Sequence, residues 1–438
     1  MSTCSLPTPL PTMRRRDVLK AGGAALSAAA LTGCAINTIG TPDVARVLVV
    51  GGGFGGATAA KYVRLFSGGK IDVVLVEPDA AFVSCPMSNL VLGGTKLMSD
   101  ITVPYGALAA RHGVRIVKDR VASIDTAKRV AVLASGGSIR YDKLVLSPGV
   151  EMMWDSVAGL RAANQQGQVL QAWKAGPETM ALRRQLEAMP DGGVFAITIP
   201  EAPYRCPPGP YERACVVANY FKAAKPKSKV LVLDANQDVT SKPALFKKAW
   251  AEQYAGMVEY RPQHKAVAVD GASRSVKFEL HDDVQADVLN VLPSMRAGQL
   301  AVQTGLANAN GRWCHVNFLN FESTAAPNVH VLGDAIQVAA GMPKSAHMAN
   351  AHAKVAAAAI VAELQGLEID PQPMLTNVCM SHVDDSQVIH VASVHEYVPA
   401  QKTFRAVAGS GGVSDARSEL EAKYAEAWAR NIWADTLM

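Results

Sequence analysis

The chain lacks the short cysteine and histidine spacings that hold metal ions or haem. Its 438 residues include seven cysteines but no CxxC or CxxCH string. Its ten histidines show no spacing typical of a zinc site. We therefore expect that this chain carries no haem of its own and binds no metal ion.

The sequence also has little excess of either charge. The net charge is +5, and setting aside the first 33 residues, with four basic and one acidic side chain, leaves +2. There is no basic tail or patch of the kind that binds nucleic acid. An apolar content of 49% is typical of a globular protein, and the length suffices for two or three domains.

The N-terminus lacks an apolar run long enough to span a bilayer. The apolar stretch from Ala21 to Leu31 is too short for a membrane helix, but it follows Arg14 to Lys20 (RRRDVLK), which resembles a twin-arginine export motif. Residues 1–40 are therefore interpreted as a leader, and the protein is expected in the periplasm. The alternative is a chance basic patch before an alanine-rich helix.

The end of this leader has two interpretations. Leu31 to Cys34 (LTGC) resembles a lipobox, in which Cys34 would become a lipidated N-terminus and anchor the protein to a membrane. An ordinary cleavage site among the small residues before Thr41 fits the sequence equally well.

A glycine-rich loop after the leader indicates a dinucleotide site. The β-branched run at 46–50 predicts a buried strand, a helical stretch follows the loop, and a second strand ends at Glu77. In this β-α-β unit Gly51 permits the turn, Gly53 lets the backbone approach a pyrophosphate, and Gly56 lets the helix pack closely. Phe54, within the loop, is a further candidate for cofactor binding, and Glu77 is placed to bond a ribose hydroxyl.

Two further turns resemble the second and third flavin-domain motifs of two-dinucleotide oxidoreductases. Residues 141–149 form a strand ending at Gly149, and residues 328–335 form a strand followed by Gly333 and Asp334. In those enzymes the aspartate contacts the ribityl chain of FAD. The resemblance makes Asp334 a candidate for the same contact.

The place of a second phosphate-binding loop is taken by a proline-rich segment. Strands predicted at 193–200 and 229–234 flank the sequence EAPYRCPPGP, residues 201–210. Prolines have no backbone N–H to donate to a phosphate, so this loop lacks the usual nucleotide cradle. We infer that the scaffold persists but that its NAD site is lost.

These patterns predict an α/β fold with two Rossmann-like domains of the glutathione-reductase type and a smaller C-terminal domain. An FAD-binding domain is expected from 41–160 with 290–365, and a degenerate NAD-type domain from 161–289. Residues 366–438 form the C-terminal domain, in which 416–434 have helical spacing. We expect that helix to pack against the body, and a membrane-surface helix is the alternative.

Several strings resemble the flavoprotein subunit of flavocytochrome c sulfide dehydrogenase, and the likeness extends over nearly the whole chain. They are GGGFGGATAAKY (51–62), CPMSN (85–89), RCPPGPYER (205–213), MPKS (342–345) and NVC (377–379). The related sulfide:quinone oxidoreductases share the fold but not RCPPGPYER, so the resemblance is specific.

The resemblance implies that Cys85 is bonded to the 8α carbon of FAD, while a buried structural cysteine is the alternative. It further implies that Cys206 and Cys379 form a redox-active pair beside the flavin, with a purely structural disulfide as the alternative. Glu212 would accept a proton or complement the helix dipole. Lys344 would stabilise negative charge on the reduced flavin, whereas Cys215 and Cys314 are expected to be structural.

The function implied by the resemblance is oxidation of hydrosulfide to sulfur or polysulfide through Cys206, Cys379 and FAD. The electrons would pass to a c-type cytochrome subunit that forms a heterodimer with this chain. Two alternatives use the same residues: reduction of quinone, or reactivation of a thiosulfate-oxidising carrier by removal of its persulfide.

Overall fold

The computed structural model describes residues 44–438. The predicted leader and Cys34 lie outside the described residues.

The first part of the described chain alternates short strands with helices. Its strands are β1 (Arg46–Val50), β2 (Asp72–Val76), β3 (Ala81–Val83), β4 (Thr102–Pro104), β5 (Arg115–Val117), β6 (Val121–Asp125), β7 (Val130–Leu133), β8 (Ser138–Arg140), β9 (Lys143–Leu146) and β10 (Val150–Met152). Its helices are α1 (Phe54–Phe66), α2 (Ser88–Gly93) and α3 (Gly106–His112). The strand and helix predicted around the glycine loop are confirmed as β1 and α1.

The middle of the chain contributes a second set of elements. Its helices are α4 (Leu160–Gln165), α5 (Pro177–Ala188), α6 (Gly209–Ala224) and α7 (Pro243–Gln253). Its strands are β11 (Val194–Ile199), β12 (Lys229–Asp234), β13 (Val258–Arg261), β14 (Ala266–Asp270), β15 (Ser275–Phe278), β16 (Val284–Gln285) and β17 (Val288–Val291). The two strands predicted on either side of the proline-rich loop are confirmed as β11 and β12.

The remaining elements return to the first sheet and then form the C-terminal part. They are β18 (Met295–Ala297), α8 (Gln299–Gln303), β19 (Val316–Asn317), β20 (Glu322–Ser323), β21 (Val329–Val331), α9 (Ala346–Gln365), β22 (Met374–His382), β23 (Val388–Val398), β24 (Thr403–Ala406), β25 (Gly412–Val413) and α10 (Glu419–Leu437). Short 3₁₀ turns lie at Met98–Ile101, Trp154–Ser156 and Gly333–Ala335.

The largest sheet brings the three flavin-type turns to one edge. Its seven strands run in the order β19-β20-β21-β9-β1-β2-β5, and β21, β9, β1, β2 and β5 are mutually parallel. β1, β9 and β21 are fully buried. Because parallel strands end on the same side, the turns after them converge at the carboxyl edge of the sheet.

A second parallel sheet repeats the pattern, which confirms the predicted α/β fold. Its order is β13-β12-β11-β17, and the proline-rich loop leaves its carboxyl edge between β11 and α6. The exact domain boundaries at 160, 289 and 365 stay predictions.

The C-terminal part is an antiparallel sheet closed by α10. β22 and β23 pair along their length from Met374 with Glu396 to His382 with Val388. α10 packs back on the body of the protein, as expected: the Lys61 ammonium of α1 donates to the carbonyls of Ala434 (3.0 Å) and Asp435 (2.9 Å). In the described part of the chain, no helix is both long and apolar enough to cross a membrane.

The Asp435 carboxylate holds α10 in place. It accepts hydrogen bonds from Tyr62 (2.5 Å) and Asn350 (2.8 Å) and pairs with the Lys354 ammonium at 2.8 Å. Burial favours the neutral carboxyl group, but these three partners lower the pKa of Asp435 overall. The ionised carboxylate therefore stabilises the docked helix.

We expect Asp435→Ala to lower the free energy of unfolding at pH 7 by about 1–3 kcal/mol, because three polar partners lose their acceptor. Because the pKa of Asp435 is lower in the folded protein, its carboxylate stabilises the fold at any pH above the unfolded pKa of aspartate, about 3.9. This stabilisation is lost as the pH falls from there through the pKa of the folded state. Urea unfolding at pH 7 and at about pH 2.5, well below the unfolded pKa of aspartate, measures both effects, with the exposed Asp415→Ala as control. A pH-independent difference would contradict the assignment.

Candidate active site

One large cavity lies where the carboxyl edge of the seven-stranded sheet meets β22. Together with the open solvent at its mouth, it comprises about 1210 Å³ that protein atoms do not fill. Among the parts of the chain that line it are the glycine loop with Phe54, the loop at Cys85, the segment from Arg205 to Arg213, and β22 around Cys379. The fold therefore assembles most of the predicted site residues in one place.

The glycine loop has the backbone shape that a bound pyrophosphate needs. Gly51 has a φ of +96°, and a Cβ there would lie 2.4 Å from the carbonyl oxygen of Ser147. A Cβ on Gly56 would lie 1.8 Å from the Gly51 carbonyl oxygen, whereas a Cβ on Gly53 would meet nothing within 4 Å. The loop is thus closed towards the sheet and open towards the cavity, at the N-terminus of α1.

Two predicted residues frame this loop. Glu77 follows β2, and its carboxylate accepts a hydrogen bond from the backbone N–H of Gly52 at 2.6 Å. The Phe54 ring lines the cavity and packs edge-on against Phe82, with ring centroids 4.9 Å apart.

The chemistry of the far wall also fits FAD. Gly149, Gly333 and Asp334 line the cavity, and the buried Asp334 Oδ1 has no hydrogen-bond partner. Arg205 Nε, which is also buried, has none either. A carboxylate oxygen that lacks a donor matches the hydroxyl groups of a ribityl chain. Burial raises the pKa of Asp334, although the positive charges of Arg205 and Lys344 oppose this shift.

Cys85 lies on the cavity wall as a half-buried free thiol. Its carbonyl oxygen accepts hydrogen bonds from the Ser88 hydroxyl (2.6 Å) and the Ser88 backbone N–H (3.0 Å), which fix the turn before α2. Burial lowers the pKa of the Arg205 guanidinium, but the negative charges that Cys85 and Asp334 can carry outweigh burial and raise this pKa overall. Cys85 therefore faces a fixed positive charge.

Cys206 and Cys379 reach the same cavity from distant parts of the chain. Both are half-buried free thiols in this structure. Cys206 is held at a φ of +59°, and its N–H donates to the Lys344 carbonyl at 2.8 Å. Cys379 lies in β22, with the Asn377 side-chain amide 3.7 Å from its sulfur.

Burial raises the pKa of both thiols. For Cys206, the negative charges that Cys379 and Glu212 can carry add to the effect of burial. For Cys379, the Lys242 charge and the contacts with Asn377 and Ser345 oppose it. The charges of Arg205 and Lys242 oppose the shift at Cys206 as well, but at Cys379 the Lys242 charge is the largest opposing influence.

Glu212 joins three elements at the cavity. It lies in the first turn of α6, which suits the helix dipole. One carboxylate oxygen accepts from the Asn89 side chain at 2.7 Å, and the other accepts from the backbone N–H of His382 at 2.8 Å. It lines the cavity as well, so the structure is compatible with both predicted roles.

Lys344 is placed differently from the expectation. Its ammonium donates to the carbonyl of Asp334 at 2.9 Å and of Ile336 at 2.5 Å, and it lies 3.7 Å from the centre of the Trp313 ring. Burial lowers its pKa to about 7. The side chain supports the Asp334 turn from behind and does not line the cavity.

The other two cysteines of residues 44–438 lie in the core. Cys215 is fully buried and accepts a hydrogen bond from the Trp250 indole at 3.2 Å, and Cys314 is buried next to Trp313. Both positions agree with structural roles. Among residues 44–438, no group of three or more His, Cys, Asp or Glu side chains is arranged to hold a metal ion.

Several cavity residues had no recognisable signal in the sequence. Trp173, His347 and Trp428 line the cavity, and Lys242 lies directly behind Cys379. His347 Nδ1 accepts from the Val378 N–H at 3.0 Å, so the neutral ring carries its proton on Nε2. These residues come from elements that meet only in the folded chain, and no local spacing connects them.

The carboxyl edge of the second sheet is filled by protein side chains. Asp234 ends β12, where an acid would bind the ribose of a nicotinamide cofactor, but it is fully buried. It accepts from the hydroxyls of Tyr211 (2.7 Å) and Tyr260 (3.1 Å) and from the N–H of Asn236 (2.9 Å). This geometry agrees with the predicted loss of the NAD site.

Three family models match successive parts of the chain. Residues 45–176 match the pyridine nucleotide-disulphide oxidoreductase model. Residues 179–293 match the central part of the sulfide dehydrogenase [flavocytochrome c] flavoprotein chain, and residues 371–437 match the flavocytochrome c sulphide dehydrogenase flavin-binding model. The second and third models support the same family.

Solved structures show the same fold. The sulfide:quinone oxidoreductase from Aquifex aeolicus aligns with a TM-score of 0.72 and 18% identity, covering 90% of this chain and 92% of that one. In the putidaredoxin reductase–putidaredoxin complex, the matching chain gives a TM-score of 0.63 and 17% identity, covering 89% of this chain and 93% of that one. The fold is therefore that of two-dinucleotide-binding flavoproteins.

Curated relatives narrow the assignment. The mitochondrial sulfide:quinone oxidoreductase of Dictyostelium discoideum is 26% identical over 302 residues, which cover 67% of this chain and 65% of that protein. The sulfide dehydrogenase [flavocytochrome c] flavoprotein chain of Chlorobaculum thiosulfatiphilum is 63% identical over 46 residues, 10% of this chain and 94% of that sequence. Together with the family models, this identity shows that the chain belongs to the flavocytochrome c sulfide dehydrogenase flavoprotein family of flavin-dependent oxidoreductases.

Proposed function

We propose that this chain is the flavoprotein subunit of a periplasmic sulfide dehydrogenase, which oxidises hydrosulfide and passes electrons to a c-type cytochrome subunit. The observation that carries the proposal is that Cys206 and Cys379, 173 residues apart, face one cavity beside an open dinucleotide loop. The family membership supports the sulfide substrate and the cytochrome partner, and the predicted leader supports export.

The proposed chemistry uses the two cysteines as a reversible disulfide. Hydrosulfide bonds to one sulfur, the bond between the cysteines breaks, and the other cysteine leaves with the electron pair as a thiolate. A second hydrosulfide removes the added sulfur as a hydrodisulfide, which leaves the dithiol. Loss of two electrons from the dithiol closes the disulfide again. FAD, which the glycine loop and Asp334 would hold, would supply the two-electron acceptor for this step and a one-electron donor to a haem.

The cavity residues would support this chemistry in distinct ways. The fixed loop around Cys206 holds its sulfur towards the cavity, because its N–H is bonded to Lys344 and its φ is set at +59°. Glu212 lies within the same cavity and has carboxylate lone pairs beyond its two hydrogen bonds, so it would accept the proton of the incoming sulfur species.

A second candidate function is sulfide oxidation with quinone as the acceptor. The mitochondrial sulfide:quinone oxidoreductases of Dictyostelium discoideum and mouse match 67% and 66% of this chain, which favours this candidate. Reduction of a soluble quinone by the sulfide-reduced protein, without any cytochrome, would select it over the first.

We expect Cys206→Ser and Cys379→Ser to slow the reduction of the bound flavin by sulfide by about 100-fold or more, because neither variant can form the disulfide. Anaerobic stopped-flow measures this as bleaching of the oxidised flavin band. Cys215→Ser, a buried cysteine outside the cavity, is the control and should bleach at the wild-type rate. Equal rates in all four proteins would contradict the cysteine mechanism.

Covalent attachment of FAD through Cys85 gives a second expectation. Denatured wild-type protein should retain flavin fluorescence on a denaturing gel, and Cys85→Ala should lose it, because no other bond holds the cofactor after unfolding. Cys314→Ala, also a free cysteine, should retain it. Fluorescence that persists in Cys85→Ala would place the bond elsewhere, and its absence from the wild type would show non-covalent binding.

The filled second sheet predicts that nicotinamide cofactors do not reduce this protein. Neither NADH nor NADPH should bleach the flavin anaerobically, since Asp234 and the proline-rich loop offer no ribose or phosphate contacts. Sulfide, added afterwards to the same sample, is the positive control. Rapid bleaching by NADH would overturn the conclusion that the NAD site is lost.

A further inference from the structure

Lys242 is a buried cation beside one of the two reactive cysteines, outside every string that suggested the family. The residue is 5% exposed and has a φ of +55°, immediately before Pro243 opens α7. A long side chain in the left-handed region is uncommon and is retained only where the surroundings hold it. This backbone conformation sends the side chain inward to the C-terminal sheet.

The ammonium of Lys242 is hydrogen-bonded to neutral oxygens and lies 5.6 Å from the centre of the Phe246 ring. It donates to the carbonyl of Cys379 at 3.1 Å, to the hydroxyl of Ser381 at 2.8 Å, and to the carbonyl of Ile389 at 3.4 Å. No carboxylate of residues 44–438 forms an ion pair with it at 4.0 Å or less. A buried charge without a counter-ion is costly to keep, so its retention calls for a role.

Four groups that can carry negative charge lie close enough to Lys242 to stabilise its ammonium. They are Cys379 on β22, Glu212 on α6, Cys206 on the loop before α6, and Glu421 on α10. Burial lowers the pKa of Lys242 to about 8, while these four groups oppose that shift. Cys379 is first among them, and the Lys242 charge in turn opposes the effect of burial on the Cys379 thiol.

We propose that Lys242 is a positioning residue that stabilises negative charge on the sulfur of Cys379 whenever its bond to Cys206 is open. The inference rests on the proposed function, in which hydrosulfide cleaves the disulfide. When hydrosulfide bonds to Cys206, the bond between the cysteines breaks and Cys379 leaves with the electron pair as a thiolate, next to the ammonium that is already bonded to its own carbonyl oxygen. No proton moves from Lys242 in this step.

Two measurable properties follow. A fixed cation favours the thiolate over the thiol, so it increases the ionised fraction of Cys379 at neutral pH. It also favours the open dithiolate form over the disulfide, so it raises the reduction potential of the pair. Both properties are measured on the cysteines themselves and require no catalytic turnover.

The first experiment measures the thiolate directly. In a Cys206→Ser background, which leaves Cys379 without its disulfide partner, the rate of alkylation of the Cys379 peptide is followed against pH by mass spectrometry. Lys242→Met should lower the rate at pH 7 by about tenfold, the effect of one unit in the thiol pKa. Lys242→Arg should stay close to the parent rate, because it keeps the charge.

Lys247→Met is the matched control, since Lys247 is an exposed lysine of the same helix that pairs with Asp238 at 2.7 Å. It should leave the rate unchanged. If Lys242→Met does not fold, Ser381→Ala removes one of the three oxygens that hold the ammonium and should slow alkylation in the same direction. An unchanged alkylation profile in whichever of these two variants folds overturns the proposal.

The second experiment measures the disulfide in the holoprotein by equilibration with dithiol buffers. Lys242→Met should shift the potential of the pair by about 30 mV to more negative values, which is a tenfold change for a two-electron couple. The number of free thiols in the oxidised wild-type protein separates the proposed function from the proposed role of Lys242. If Cys206 and Cys379 are both free there, the proposed function fails, while the alkylation result still decides the role of Lys242.

Discussion

The carboxylate of Glu212 connects three of the elements around the cavity: its own helix α6, the helix α2 beside the Cys85 turn, and β22. It receives one hydrogen bond from Asn89, beside the Cys85 turn, and one from the backbone of His382, at the end of β22. Its own helix starts three residues after Cys206. These contacts hold the Cys85 turn, the Cys206 loop and the Cys379 strand in fixed positions relative to each other. Without them, the C-terminal sheet would lose a buried polar attachment to the rest of the site.

The carboxyl edges of the two main sheets differ in the space that they leave for a nucleotide. In the first sheet, the turns after β1, β9 and β21 leave an open edge with an unpartnered Asp334 oxygen. In the second sheet, prolines stand where the phosphate-binding loop would be, and the hydroxyls of Tyr211 and Tyr260 donate hydrogen bonds to the carboxylate of Asp234. The space that a nicotinamide cofactor would use is therefore occupied by a hydrogen-bonded core, and the proline-rich loop instead presents Cys206 to the first site.

The features that could be predicted from the sequence are those that depend on residues close together along the chain. The glycine loop, both Rossmann-like strand patterns and the helix in α10 follow from spacing within a few residues. The association of Cys206 with Cys379 came only from the family resemblance, because 173 residues separate them. Lys242 and Trp428 had no signal, since each reaches the site from an element that packs there only after folding. The direction of Lys344 was also beyond the sequence, because Trp313 holds its ammonium behind the Asp334 turn.

The most direct test of the account locates the sulfur atom removed from the substrate. The oxidised protein is mixed anaerobically with one equivalent of sulfide, quenched with an alkylating reagent and analysed as peptides by mass spectrometry. The account predicts one added sulfur on the Cys206 or the Cys379 peptide, and none on the Cys215 or Cys314 peptides. Full reduction of the flavin with no added sulfur on either reactive cysteine would contradict it, because sulfide would then be oxidised without the cysteine pair.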